Sequence, residues 1–113
     1  MQRGEVFRLR GPKGTRGHEQ SGQRYGVVVQ ADELLSLSTV IIAPTSTRAR
    51  PASFRPEVEI DGQRTRVLVE QLGAVDPSRL GESHGLLAFG ELRDVDRALA
   101  VVVGIGTRTS GRS

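Results

Sequence analysis

The stretch Glu57-Val58-Glu59-Ile60-Asp61-Gly62-Gln63-Arg64-Thr65-Arg66-Val67-Leu68-Val69 decides the class of fold. Glu57 to Ile60 alternates acidic and apolar residues, the period of a strand with one buried face. Asp61-Gly62 follows at once, and such a pair supplies the positive φ that a two-residue hairpin turn requires. Arg66 to Val69 then reads as the return strand, with a continuation through Gln71 to Val75. The centre of the chain is therefore antiparallel β.

Working outward, the same signals recur. Thr39 to Ala43 is rich in β-branched residues and stops at Pro44, so it reads as a strand. Tyr25 to Gln30 contains Val27-Val28-Val29, a buried strand by composition, and Glu5 to Leu9 alternates like a half-buried one. Ala31 to Leu37, with Asp32 and Glu33 at its start, fits a short helix or turn. After the hairpin, Asp76 to Leu80 reads as a turn or a single helical turn, and Gly85 to Phe89 as one more short strand. Leu92, Val95, Leu99 and Val102 fall at helical spacing, with Ala98 and Val103 filling the stripe and Glu91 or Asp94 near its start. Gly104 and Gly106 stop that helix. Residues 1–106 are expected to form one domain and 107–113 a flexible tail. Short strands plus one C-terminal helix give a mainly β (α+β) fold, most economically a small barrel-like antiparallel sheet with the helix packed on it.

With 113 residues the chain has room for one modest core. The aromatic residues are Phe7, Tyr25, Phe54 and Phe89, so that core must rest on Val, Leu and Ile, and a dimer would help it. Cysteine is absent, which excludes disulfides, thiolate metal sites and cysteine nucleophiles. Two histidines, His18 and His84, are too few for a multi-histidine metal cage. There is no phosphate-loop lysine motif and no dinucleotide fingerprint, so no metal and no cofactor is expected. No apolar run approaches a membrane span, and Met1 to Glu5 lacks a signal-peptide segment, so a cytoplasmic location without membrane contact is expected.

Charge is uneven. Residues 1–66 carry eleven basic and seven acidic side chains, and residues 67–113 carry five and six. Fifteen of the sixteen basic residues are arginine, which makes planar two-point contacts with phosphates and carboxylates. The N-terminal half thus suits an anionic partner, although a solvated arginine-rich surface gives the same count.

Two loops hold the chemistry-bearing side chains. Residues 10–23 contain Gly11, Gly14, Gly17, Gly22 and Pro12, and they end in Gly17-His18-Glu19-Gln20-Ser21-Gly22-Gln23-Arg24. A histidine, a carboxylate and an arginine within seven residues can exchange a proton and neutralise a phosphorane. An ordinary polar surface loop has the same composition. Residues 45–56 open with Thr45, Ser46 and Thr47, followed by Arg48, Arg50 and Arg55, hydroxyls and cations that fit phosphate oxygens or a plain turn. Glu70-Gln71 ends a strand pattern, and His84 reads as a turn residue without a role.

At these residues the chain resembles the MazF/PemK-type toxins of bacterial toxin–antitoxin pairs. Arg3-Gly4-Glu5-Val6-Phe7 is similar to the family's opening, and Gly17 to Arg24 to its Gly-x-Glu-Gln-x-Gly-x-Arg-Pro. Pro44-Thr45-Ser46-Thr47 is similar to Pro-x-Thr-(Ser/Thr), and Glu70-Gln71 through Val75-Asp76, with Arg79-Leu80, to the (Glu/Asp)-Gln…(Ile/Val)-Asp segment. Asp94 to Leu99 resembles the last helix, so the likeness spans about residues 2–105 in order.

The resemblance implies an SH3-like antiparallel β-barrel with a C-terminal helix (CcdB/PemK-like), working as a homodimer. It implies metal-independent endoribonuclease cleavage of single-stranded RNA, and neutralisation by a cognate antitoxin with an acidic tail. It maps Arg24, Ser46, Glu19 and His18 to the catalytic positions. Gln20, Tyr25, Thr45, Thr47, Arg48, Glu70 and Gln71 fall on the substrate side. Two departures stand out: Tyr25 replaces the proline after the arginine, and Ser46 replaces the loop threonine. Tyr25 is placed to stack on a base. The rival readings are a catalytically weak RNA- or antitoxin-binding relative and a gyrase-targeting toxin of the same fold.

Overall fold

The computed structural model describes residues 1–11 and 24–106. Among the described residues, seven strands and one α-helix follow one another: β1 Glu5–Leu9, β2 Tyr25–Val28, β3 Val40–Ser46, β4 Glu57–Ile60, β5 Gln63–Val67, β6 Gly73–Val75, β7 Leu80–Leu86 and α1 Phe89–Val103. Short 3-10 turns lie at Asp32–Leu34, Val69–Gln71 and Pro77–Arg79. The expected tail, 107–113, and most of the first loop lie outside the described residues.

All pairings are antiparallel, in the order β4-β5-β3-β2-β1-β7, with β6 added on β3. The hairpin β4–β5 closes at Asp61 and Gly62, both at positive φ, as the Asp-Gly pair requires. The sheet curls into a half-barrel, and its concave face is covered by α1. The main core holds Val6, Val27, Ala43, Val58, Val67 and Val69 from the sheet against Val95 and Ala98 of the helix. A second cluster, Val28, Val40 and Ile42, lies apart and is flanked by Phe7, Leu9, Leu35, Val75 and Leu80. Every one of the largest fully buried side chains is a valine, as the scarcity of aromatics dictates. No described helix is long and apolar enough to cross a membrane.

Three boundaries differ from expectation. β3 does not stop at Pro44 but runs on to Ser46. β6 pairs with residues 40–42 and β5 with 45–46 of β3 along one edge. Between them the chain leaves the ladder in the 3-10 turn Val69–Gln71, and Pro44 sits at that gap. Its carbonyl accepts the Leu68 N–H at 2.7 Å, and its missing N–H falls where no partner strand passes. The return strand accordingly ends at Val67, and the continuation to Val75 is a separate strand. The last strand is Leu80–Leu86 rather than Gly85–Phe89, because β1 pairs with it from Leu9↔Leu80 to Glu5↔Leu86 through two register shifts. Phe89 instead begins α1.

The two ends of the strand order approach one another as the sheet curls, and side chains bridge them. His84 of β7 bonds Asp61 in the β4–β5 turn. Glu91, in the first turn of α1, accepts the Ala88 N–H at 3.0 Å with one oxygen and the Glu59 N–H of β4 at 2.9 Å with the other. The N-terminus is pinned by Arg3, which meets Asp96 of α1 at 2.8 Å and the Val29 carbonyl at 2.9 Å. Gly4 beside it has φ +91° and lies under Leu92.

Candidate nucleic-acid interface

The curl brings the starts and ends of β2, β3 and β5 to one rim. β3 and β5 place Ser46 opposite Arg66, and Arg66 lies opposite Glu57 on β4. The β2–β3 register, continued two residues beyond Gly26↔Pro44, sets Arg24 opposite Ser46. Residues directly opposite share a face of the sheet. Arg24, Ser46, Arg66 and Glu57 therefore form one row across four strands. One residue inward, the next row holds Tyr25, Thr45 and Val67 on the opposite face.

Arg24 is exposed, and its Nε reaches the Thr45 carbonyl at 3.4 Å, the long limit of a hydrogen bond. Such a contact leaves the guanidinium free to turn toward a ligand. Ser46 is half-buried, and its hydroxyl accepts the Arg48 N–H at 3.1 Å, which shapes the start of the second loop. Thr47, Arg48 and Arg50 follow, with Thr47, Arg48 and Arg50 all exposed. Thr45 differs from its neighbours: it is 2% exposed, and its hydroxyl accepts the Tyr25 N–H at 3.3 Å. It fastens β2 to β3 rather than facing solvent.

Glu70 lies on the 3-10 turn between β5 and β6 and meets Arg55 from the second loop. Arg55 Nε and Nη2 both donate to Glu70 Oε2, at 3.0 and 2.7 Å. This bonding holds the Glu70 carboxyl below the usual carboxylate range and raises the Arg55 guanidinium. Arg55 also donates to the Arg50 carbonyl, receives Arg66 Nη1 on its own carbonyl, and lies over the Phe54 ring. The loop 47–56 is thus tied down at one arginine, and that arginine is neutralised by Glu70. Gln71 is exposed beside it.

Tyr25 packs on the main core, and its ring meets His84 edge to face with centroids 4.9 Å apart. His18, Glu19 and Gln20 lie outside the described residues. Of the sequence-derived candidates, Arg24, Ser46, Thr47 and Arg48 come together on the rim with Tyr25 and Thr45 behind them. Two participants went unread in the sequence. Arg55 was one loop arginine among three, and nothing local pairs it with Glu70 fifteen residues on. His84 carries no pattern of its own, since its partners Asp61, in the β4–β5 turn, and Tyr25, on β2, are far away in sequence.

A rim with four arginines that have no carboxylate partner among the described residues (Arg24, Arg48, Arg50 and Arg66) and a hydroxyl has the chemistry to hold a phosphodiester chain: cations for charge and the hydroxyl for a phosphate oxygen. Among the described residues, no cluster of three or more His, Cys, Asp or Glu side chains is arranged to hold a metal ion.

Comparison with known proteins agrees in scope with this architecture. Residues 2–103 match the family model of the PemK-like, MazF-like toxins of type II toxin–antitoxin systems. A candidate toxin of Mycobacterium tuberculosis is 38% identical over 104 residues, covering 91% of this chain and 97% of that protein. The fold is similar to that of a mycobacterial endoribonuclease solved in complex with its cognate antitoxin, with TM-score 0.78 and 16% identity, covering 96% of this chain and 99% of the other. It is also similar to MazF from Deinococcus radiodurans, with TM-score 0.73 and 22% identity over 93% of this chain and 97% of the other. At those identities the two structures speak for the fold. Family model, relative and fold together place this chain in the MazF/PemK family of type II toxin–antitoxin toxins.

Proposed function

We propose that this toxin is a sequence-specific, metal-independent endoribonuclease that cleaves single-stranded mRNA. The ribose 2′-oxygen attacks the adjacent phosphorus, the bond from phosphorus to the 5′-oxygen breaks, and a 2′,3′-cyclic phosphate and a 5′-hydroxyl result. One group takes the proton of the 2′-hydroxyl, another returns a proton to the departing 5′-oxygen, and a cation offsets the charge of the phosphorane. In this reading Glu19 and His18 share the proton transfers, Arg24 neutralises the phosphorane, and the Ser46 hydroxyl bonds a phosphate oxygen. Gln20, Tyr25, Thr47, Arg48, Glu70 and Gln71 line the path of the strand, and Thr45 acts through its bond to the Tyr25 N–H.

The observation that carries the reading is the row of Arg24, Ser46 and Arg66, in which Arg24 comes five residues after Glu19 in sequence. An arginine opposite a hydroxyl is the arrangement that phosphoryl-group chemistry needs. The protein acts as a cytoplasmic homodimer, and an antitoxin with an acidic segment covers the same rim. The similar mycobacterial endoribonuclease solved with its antitoxin supports that partner.

The test is incubation of the purified protein with a long unstructured RNA in EDTA, with every new 5′ end mapped. A recurrent short motif at the cuts, with 5′-hydroxyl ends, is expected. Arg24→Ala is expected to abolish cleavage without changing the oligomeric state. Full activity in that variant would remove Arg24 from the mechanism.

A further inference from the structure

Arg66 differs from the other arginines around the rim. It is half-buried, whereas Arg24, Arg48, Arg50 and Arg64 are exposed. Its Nη1 donates to the Arg55 carbonyl at 2.9 Å. Arg55 is itself clamped, with Nε and Nη2 both on Glu70 Oε2 at 3.0 and 2.7 Å. Glu70, Arg55 and Arg66 therefore form a series in which each group fixes the next. The bond to Nη1 leaves Nε and Nη2, one two-donor edge of the guanidinium, without a partner among the described residues. Among the described residues, the buried side-chain polar atoms that lack a partner are Thr65 Oγ1, Glu70 Oε1 and His84 Nε2, so the Arg66 edge is not shut away with them. Glu57 stands across from Arg66 on β4, yet its carboxylate meets Arg64, at 3.6 Å.

We propose that Arg66 is a substrate-binding residue whose Nε–Nη2 edge grips the RNA phosphate next to the one at Arg24, with the Glu70–Arg55 pair as its mount. The proposal rests on the endoribonuclease reading above. Ser46 stands between the two arginines, opposite Arg24 on one side and Arg66 of β5 on the other. All three share one face of the sheet, and the arginines are rooted about 10 Å apart, two strand spacings. A single strand laid along that row meets Arg24, the Ser46 hydroxyl and Arg66 in turn. The bond to Arg55 holds Arg66 on the β5 side, so it takes the neighbouring phosphate rather than the reacting one. Two parallel N–H donors match two phosphate oxygens. One corner of the fork is already fastened, so gripping a phosphate orders little that was free. Arg55 is thus a positioning residue, and Glu70 acts on the strand through it.

The probe is a fluorescein-labelled 2′-O-methyl oligoribonucleotide that spans the motif found by cleavage mapping and lacks the attacking hydroxyl. Anisotropy measures its binding to the full chain over a range of salt concentrations. Arg66→Gln is expected to weaken binding and raise KM by roughly tenfold or more, the worth of a charge-assisted contact, while kcat falls far less. Its salt slope is expected to shrink by roughly 0.7, the share of one single-strand phosphate. Arg66→Lys keeps the charge and loses the two-point edge, so it is expected to keep the slope and weaken binding by less. Probes carrying one neutral methylphosphonate linkage each then locate the contact. The linkage beside the scissile one is expected to matter to the parent and not to Arg66→Gln. Glu70→Ala tests the mount. By charge alone, removing an acid from a basic rim tightens RNA binding, whereas loss of aim weakens it. The variant is expected to bind several-fold more weakly than the parent, and to add nothing in the Arg66→Gln background.

Equal sensitivity of the parent and Arg66→Gln to every neutral linkage would overturn the proposal and leave the endoribonuclease reading standing. So would an Arg66→Gln variant, folded by circular dichroism, with the KM and salt slope of the parent. Coupling at the scissile linkage instead would overturn the placement of Arg66 on the neighbouring phosphate. Tighter binding by Glu70→Ala, or a loss that persists in full in the Arg66→Gln background, would overturn the mount. Absence of both binding and RNA cleavage in the parent protein would overturn the endoribonuclease reading and the proposal with it.

Discussion

Gly4 is a position where backbone and packing make the same demand. Its φ is +91°, its N–H donates to the Val28 carbonyl at 2.8 Å, and its carbonyl accepts the Leu87 N–H at 2.9 Å. A Cβ built there would stand 3.0 Å from Leu92 Cδ2 on α1. Gly4→Ala therefore incurs two separate costs. The left-handed backbone costs an L-residue about 1–2 kcal/mol. Crowding against a leucine terminus that can shift by a few tenths of an ångström adds roughly 1 kcal/mol, the low end of overpacking. Loss of unfolded-state freedom returns about 0.4–1 kcal/mol. The net destabilisation is then about 1–2.6 kcal/mol, or roughly 4–13 °C in Tm for a chain of this size. Urea denaturation followed by far-UV circular dichroism, at one protein concentration, measures it. The midpoint is expected to fall with the slope unchanged. Leu92→Ala in the Gly4→Ala background separates the two costs, because it removes the crowding and leaves the φ. The two substitutions are expected to be less damaging together than their sum by about 1 kcal/mol. A Gly4→Ala loss below about 0.5 kcal/mol would refute the backbone argument, and strict additivity would refute the steric one.

Three further outcomes follow from the same geometry. Glu91→Ala removes the acceptor of the Ala88 and Glu59 N–H groups, and it is expected to cost about 1–2 kcal/mol in the same urea assay. Glu70→Gln tests the acid limb of stability. Because Arg55 holds the Glu70 carboxyl below its ordinary value, its contribution is complete above the ordinary carboxylate range and is lost as pH falls through the lowered folded value. Stability of the parent should therefore drop more steeply than that of Glu70→Gln on acidification, and parallel pH profiles would show that the pair contributes nothing. Val95→Ala removes two methyl groups from a fully buried site under α1 and is expected to cost about 2–3 kcal/mol, read from the denaturation midpoint.

The parts of the fold that local rules determine were legible in the sequence. The Asp61-Gly62 turn, the alternation of Glu57 to Ile60 and the helical stripe from Leu92 to Val102 each depend on neighbours within a few residues, and each is where it was read. What failed was set by partners far along the chain. Pro44 reads as a strand end locally, yet the gap between β5 and β6 accommodates it inside β3. The seventh strand has no period-two pattern because β1 holds it through register shifts, so Leu80-Gly81-Glu82-Ser83 gives no strand signal of its own. The candidate site divides in the same way. Arg24 and Ser46 were visible as types and spacing, whereas the Arg55–Glu70 pair and the His84 contacts exist only once the sheet has curled.

The Glu91 carboxylate, which closes the line between the strand edge and the helix, gives the molecule a built-in clock. On β4 the Glu57 and Glu59 amides point away from β5, and among the described residues only that of Glu59 has an acceptor there, supplied by Glu91. Its exchange with solvent deuterium therefore does not wait for the β4–β5 ladder to part. It waits for the first turn of α1 to lift, and one amide times the undocking of the helix while the ladder beside it keeps a separate time.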